Sequence, residues 1–248
     1  MADYKSKVKG SFSELFKTLM IAGSIAIIFR SIFFEPFNIP SGSMIPTLLV
    51  GDYLFVSKYS YGYSKYSFPF GVVPIDDRIL DENPKRGDVI VFRKPGDESI
   101  DYIKRLIGLP GDTVQVRNGI LLVNNKEAKR LKTNMGKMKN IFGQEKVFIE
   151  YKEKFENTNF HKIIESSDSD PFDNTIEFIV PENNFFFMGD NRDNSRDSRT
   201  SEVGFVPKKN LIGKAQIIFF SHNSEASFYE FWKWHKSIRF SRIGKAIE

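Results

Sequence analysis

Asp101-Tyr-Ile-Lys-Arg-Leu-Ile-Gly-Leu-Pro-Gly-Asp112 reads as a β-strand that runs into a tight turn. Aromatic and β-branched residues crowd its first half, and Pro-Gly-Asp punctuates its end. Strand side chains alternate between faces, so Tyr102, Lys104 and Leu106 share one face and Ile103 and Arg105 the other. The same pattern recurs outward along the chain, at Tyr53–Ser57, Val89–Phe92, Thr113–Val116, Val147–Tyr151, Ile176–Val180, Phe185–Met188 and Ile217–Phe220. Gly-Asp pairs at Gly51, Gly87, Gly96, Gly111 and Gly189 separate these runs. Asn124-Asn125, between Leu121–Val123 and Lys126–Ala128, reads as a hairpin turn. The middle of the chain carries no long helical period and no repeat. The reading is a mainly β protein built on an antiparallel sheet.

The front end is different. Lys5, Lys7, Lys9 and Lys17 lead into an apolar stretch that runs from Leu15 to Phe34, interrupted near its end by Arg30. As a helix it reaches about 30 Å, the thickness of a hydrocarbon core. Lys17 and Arg30 lie near its ends, where basic side chains can snorkel. Glu-Pro-Phe-Asn-Ile-Pro comes next, with no small-x-small cleavage site, which favours an uncleaved transmembrane anchor over a signal peptide. The basic flank places the N-terminus in the cytoplasm and everything after the anchor on the far side.

The expected organisation is a cytoplasmic segment 1–14, an anchor 15–34, a β domain from 35–117 and 185–221, and an inserted smaller β subdomain 118–184. A tail, 222–248, is rich in aromatic and basic residues. Its run Phe228-Tyr-Glu-Phe-Trp-Lys-Trp234, with Lys233, Lys236, Arg239 and Arg242, suits a membrane-proximal patch or simply an amphipathic end.

The 248 residues include no cysteine and three histidines, His161, His222 and His235. Disulfides, cysteine nucleophiles and zinc–thiolate sites are excluded, and a histidine metal cage has little to build on. The net charge of +5 lies wholly in the two ends, and residues 35–221 are neutral overall. A nucleic-acid-binding core would itself be basic, so no nucleic acid is expected.

Three segments carry polar chemistry. Ile39-Pro-Ser-Gly-Ser-Met-Ile-Pro-Thr-Leu48 presents Ser41 and Ser43 on a backbone restrained by Pro and Gly, just past the anchor. A serine nucleophile needs a base, and among the histidines only His222, after the last strand, is arguable. Lys104 is the other candidate. Beside Tyr102 and Leu106 its ammonium would lose hydration and its pKa would fall. A neutral amine can take a serine proton. On the strand pattern alone the favoured reading is that Lys104 and Arg105 are ordinary solvated charges. The third segment is Met188-Gly-Asp-Asn-Arg-Asp-Asn-Ser-Arg-Asp-Ser-Arg199. It fails the EF-hand spacing. It leaves open a structural pair, Asp197 with Arg199 or Asp193 with Arg196, or a hydroxyl, Ser195, that bonds an amine.

Phe34–Asp52, Arg86–Phe92, Asp101–Asp112 and Gly189–Arg199, in this order, closely resemble the sequence blocks of bacterial type I signal peptidase. The resemblance covers about 15–116 and 185–245 and leaves the insertion unconstrained. It implies a catalytic β domain and a serine–lysine dyad peptidase that removes signal peptides at the outer face of the inner (plasma) membrane. In those terms Ser43 is the nucleophile and Lys104 the base. Ser41, with the Ser43 backbone N–H, forms the oxyanion hole, and Ser195 hydrogen-bonds Lys104. Asp197 and Arg199 form a structural pair. Phe37, Ile39, Pro40, Met44, Leu48, Asp101, Tyr102 and Ile103 are the substrate-binding positions. The implied partners are signal-peptide-bearing preproteins with small residues before the cut, and the lipid bilayer. No cofactor or metal is implied, and the protein is expected to be a monomer. Many members begin with two spans, whereas this chain has room for one. A serine–lysine protease of other substrates and a non-enzymatic anchored β module are the competing readings; the anchor argues against a self-cleaving repressor type.

Overall fold

The computed structural model describes residues 2–68, 73–75, 77–139, 145–223 and 230–247. Helix α1, Ala2–Ile32, is the only long helix among them. Its stretch Phe12–Ile32 has a mean hydropathy of 1.7, and 6% of its most apolar window is buried, so its apolar side chains face outward on all sides. That suits a lipid-facing helix and not the core of a soluble domain. The side chains of Lys5, Lys7 and Lys9 lie outside the described residues. The helix ends at Ile32, two residues before the expected boundary. Phe34 already pairs with Ser57 in a sheet, and Pro36 cannot continue a helix.

The chain then builds β1 (Phe34–Asn38), β2 (Asp52–Ser57), β3 (Val89–Lys94) and β4 (Asp97–Gly108). After these come β5 (Thr113–Arg117), β6 (Ile120–Val123), β7 (Lys126–Glu127), β8 (Lys129–Lys139), β9 (Glu145–Lys154) and β10 (His161–Glu165). The last strands are β11 (Phe178–Ile179), β12 (Asn184–Met188), β13 (Val206–Pro207) and β14 (Leu211–Ser221). The main sheet has seven antiparallel strands in the order β1-β2-β14-β3-β4-β12-β13.

β3 explains why the sheet is central. Val89-Ile-Val-Phe92 is buried at every position, as expected for a strand covered on both faces. Val89 and Val91 pack with Ile39, Met44, Leu48 and Leu54. Ile90 and Phe92 pack with Leu106, Phe185 and Phe187 on the other side.

The insertion forms two further sheets, ordered β11-β5-β6-β7 and β10-β9-β8. β5, grouped by sequence with the main domain, pairs with β6 and β11. The chain leaves the main sheet at Gly108, where a Cβ would lie 2.8 Å from Val114 and 2.9 Å from Phe186. Only glycine allows that close crossing. Asn124 and Asn125 both have positive φ, 53° and 60°, the geometry of a type I′ hairpin turn. The strand expected at Ile176–Val180 narrows to Phe178–Ile179, because Thr175 is drawn into side-chain and backbone bonds with Val116.

In the tail, residues 224–229 lie outside the described set. The chain from 230 onward folds back on β14: Ile218 N donates to Lys245 O, and Ile247 N to Gln216 O. Three of the four cations read there are committed, Lys233 to Glu230 and the two arginines to the domain. Arg242 forks onto the fully buried Asp52, and Arg239 holds Ser221 Oγ at 2.8 Å. Trp232, Trp234 and Phe240 stay exposed.

Candidate active site

The turn after β1 brings Ser43 beneath β4. Lys104 Nζ donates to Ser43 Oγ at 2.6 Å and to Ile103 O at 3.0 Å. Ser41 Oγ stands 3.5 Å from Ser43 Oγ. Lys104 is only 4% exposed, and its Nζ lies 5.2 Å from the centre of the Tyr102 ring. The strand alternation inferred from the sequence thus gives Lys104 its aromatic wall. Burial lowers the Lys104 pKa to about 8, against the opposing pull of Asp197 and Asp190.

Those two carboxylates are kept from the amine by arginines of their own. Arg199 forks onto Asp197 through Nε and Nη2, both at 2.9 Å, with both side chains buried. Arg105 forks onto Asp190 at 2.8 and 2.7 Å. Burial pushes both carboxyls up, but the adjacent guanidinium outweighs it and holds each below the ordinary range. The alternative pair is not formed: Arg196 bonds Glu202, and Asp193 accepts the Ser166 N–H.

The loop after β12 shapes the nucleophile's turn. Asn191 N donates to Ser43 O at 3.1 Å, and Asn191 Nδ2 to Gly42 O at 3.0 Å. Thr47 Oγ1 donates to Asp190 at 2.5 Å. Asp197 accepts the Gly189 N–H at 3.0 Å. Gly189 is the tightest point, since a Cβ there would lie 2.3 Å from Ser195 Oγ and 2.5 Å from Ser43 O.

Ser195 therefore sits beside the site, but the expected bond to Lys104 is absent: its buried hydroxyl makes no well-formed hydrogen bond and lies near Asp197, whose carboxyl it helps hold below the ordinary range. No histidine bonds Ser43 among the described residues. His222 packs against Tyr53 and Phe220, and His161 lies against Glu153.

A cleft of about 590 Å³ opens over Ser43 and Lys104. Phe37, Ile39, Pro40, Asp101, Tyr102 and Ile103 line it, as the sequence led us to expect. Met44 and Leu48 do not. They are fully buried in the core beneath, where the apolar face of the turn must go. Val50, Ile100, Asn194 and Arg196 line the cleft without having been foreseen. A larger groove of about 820 Å³ lies along the insertion and includes neither Ser43 nor Lys104.

The sequence reading also missed the insertion's hold on the site. Glu153 of β9, completely buried, forks onto buried Arg192 in the loop after β12. Burial pushes Glu153 up, yet Arg192 and His161 bring it down to about 2. Ile164 N donates to Asp190 O at 2.9 Å. Glu153 gave no local signal, because its strand reads as an exposed charged hairpin.

Residues 12–220 match the family model described as signal peptidase, peptidase S26. A signal peptidase I of Rickettsia typhi is 38% identical over 98% of this chain and 96% of its own length. That of Rickettsia canadensis is 41% identical over 88% and 84%. A solved signal peptidase I from Enterococcus faecalis is 26% identical over 54% of this chain and 97% of that one. Its TM-score is 0.31, too low to add to the fold.

Proposed function

The chain belongs to the signal peptidase family, peptidase S26, and on that premise we propose that it cuts preproteins with a Ser43–Lys104 dyad. It is a serine peptidase of the signal peptidase I type, acting on signal peptides of preproteins. The observation that carries the dyad is the 2.6 Å contact between Ser43 Oγ and a lysine amine shut away from water.

The neutral amine takes the Ser43 hydroxyl proton as Oγ attacks the scissile carbonyl carbon. Negative charge gathers on the carbonyl oxygen. The Ser43 backbone N–H and the Ser41 hydroxyl, 3.5 Å from Ser43 Oγ, are the donors assigned to it. Collapse of the intermediate breaks the C–N bond. The lysine ammonium hands its proton to the departing amine, and the signal peptide remains as an ester on Ser43. Water, deprotonated by Lys104, attacks that ester; the C–O bond to Ser43 breaks, and the lysine ammonium returns the proton to the departing Ser43 Oγ. Ser195, whose buried hydroxyl makes no well-formed hydrogen bond, is the group assigned to steady the amine. Asp197 and Arg199 hold the surrounding loop.

Substrate adds to the sheet as an extended strand. β12 pairs with β4 only from Arg105 onward, so Asp101–Lys104 keeps one unpaired edge facing the cleft. Small residues one and three positions before the cut fit shallow pockets between Ile39, Tyr102 and Ile103. The apolar helix α1 anchors the protein as a single span in the bacterial plasma membrane. Its basic start lies in the cytoplasm and the catalytic domain lies outside, working as a monomer without a cofactor. The deciding experiment incubates detergent-solubilised protein with a precursor carrying an Ala-x-Ala site: wild type cleaves after the second alanine and Ser43→Ala does not. Equal cleavage by both would end the reading.

A further inference from the structure

One residue, Phe33, joins α1 to β1, and side chains lock that join. Arg30, in the last turn of the helix, forks onto Glu35 Oε1 through Nε at 2.9 Å and through Nη2. The Glu35 side chain is 11% exposed, and its second oxygen takes Lys58 Nζ at 2.8 Å. Lys58, itself buried, also donates to Ser67 O at 2.6 Å. Tyr63 Oη donates to Ile32 O at 3.0 Å, one of the carbonyls a helix end leaves without an internal partner. Lys58 N donates to Phe33 O at 3.0 Å. The rings of Phe29, Phe34 and Tyr59 pack along the same joint.

A carboxylate this buried needs its partners. One comes from the anchor and one from the catalytic domain, so Glu35 couples the two. From this joint to the nucleophile the chain has little freedom. All five residues of β1 pair in register with β2. Ile39 is fixed on both sides, its N to Asp52 O and its O to Gly51 N. β1 then carries Phe37 into the cleft, and Ser43 stands six residues later. A free linker would leave the helix tilt to the bilayer and to chance packing.

We infer that the Arg30–Glu35–Lys58 clamp, with Tyr63, is a specificity-determining ruler that fixes the height of Ser43 above the lipid and so selects the length of the substrate's apolar segment. The inference rests on the signal-peptide reading. The apolar region of a signal peptide is about 7–15 residues, or about 10–22 Å of helix, less than the roughly 30 Å hydrocarbon core. Where its scissile bond emerges therefore depends on its length. A nucleophile held at one height meets one length best, whereas a nucleophile on a swinging domain meets many.

The test uses the full chain in phosphatidylcholine–phosphatidylglycerol vesicles. Precursors carry oligoleucine segments of about seven to about fifteen residues before one Ala-x-Ala site, and a short soluble peptide carries the same site alone. Arg30→Ala/Tyr63→Phe removes both side-chain ties to the helix end and leaves the buried Glu35–Lys58 pair intact. A second variant inserts Gly-Ser between Phe33 and Phe34. Wild type should show one preferred length, with the rate falling about tenfold toward the end of the series farther from it. Both variants should flatten that profile to within about threefold and cleave the soluble peptide at the wild-type rate. An unchanged length profile in both variants, with peptide cleavage intact, overturns the ruler and leaves the peptidase reading standing. Loss of peptide cleavage in both makes the joint a structural brace and also overturns it. Failure of wild type on every substrate sinks the peptidase reading itself.

Discussion

Lys104 Nζ lies 2.6 Å from Ser43 Oγ, and no carboxylate among the described residues bonds the amine. Asp197 and Asp190, the charges that act on it, are each saturated by an arginine fork. The amine is therefore walled by Tyr102 and by backbone, with counter-charge near but occupied. That arrangement lowers a lysine pKa without neutralising the lysine in an ion pair.

Ser43→Ala and Lys104→Ala should each reduce precursor cleavage by about a million-fold, and the double variant should lose no more, since the two groups act as a unit. Circular dichroism should show both variants folded. His222→Ala should cleave normally, because that ring packs on Tyr53 and Phe220. Activity lost in His222→Ala but kept in Lys104→Ala would reassign the base.

Ser41→Ala should fold normally and lose turnover by roughly ten- to a thousand-fold, the effect of removing one oxyanion donor. Ser41 is exposed on the cleft wall, so its loss leaves no buried cavity. The change should appear in kcat and not in KM. Wild-type turnover would reduce Ser41 to a turn residue.

Gly189→Ala tests the packing around the nucleophile. Its methyl would meet Ser195 Oγ at 2.3 Å and Ser43 O at 2.5 Å, and the second contact is backbone that cannot swing away. We expect activity to fall at least about tenfold and the melting temperature to drop by several degrees, as an overpacked site costs about 1–3 kcal/mol. A variant with wild-type kcat would show that the Ser43 turn has slack.

The sheet and the neighbourhood of Lys104 were legible because they rest on short-range rules, whereas the pairing of Ser43 with Lys104, 61 positions apart, came from the family resemblance alone. Alternation along 102–106 put Lys104 beside Tyr102, and the Asn124-Asn125 turn reflects the tolerance of asparagine for positive φ. Met44 and Leu48 were assigned to the cleft although they lie in the core. A one-dimensional motif marks nearness to Ser43, and the turn at 42–48 aims the two side chains inward. Ser195 was expected on Lys104, but its hydroxyl lies near Asp197 instead, and no sequence pattern fixes which neighbour a serine rotamer meets. Glu153 was invisible for a third reason. Its partner, Arg192, is 39 positions away, and long-range pairs of charges leave no periodicity.

Glu153→Gln should show that the insertion supports the site. It leaves the Arg192 guanidinium buried without its counter-charge, which costs about 3–5 kcal/mol. Arg192 neighbours Asn191, whose N–H holds Ser43 O, so kcat should fall with stability. Glu153→Met/Arg192→Met should recover much of the stability by removing both charges. Full activity in Glu153→Gln, at temperatures where it is folded, would separate the insertion from catalysis.

The sign of the Lys104 shift sets the pH dependence. Burial brings its pKa down from 10.5 to about 8. Catalysis needs the neutral amine, so the rate should rise with pH through about 8 and level off above it. Lys104→Arg should be inactive, because guanidinium stays charged. Stability obeys the same shift. Between about 8 and 10.5 the folded state binds fewer protons than the unfolded state, so folding gains stability as pH rises across that window. Below about 8 both states carry the charge, and the folded protein bears the full cost of burying it, roughly 3 kcal/mol for a shift of this size. Lys104→Met keeps the length of the side chain and drops the charge. It should be inactive yet melt higher than wild type at pH 7, and the advantage should shrink toward zero by about pH 10.5. Thermal melts of both proteins at pH 7 and pH 10 check this directly. If Lys104→Met melts no higher than wild type at pH 7, the ammonium is solvated in the folded protein, and a neutral-amine base at Lys104 loses its physical ground.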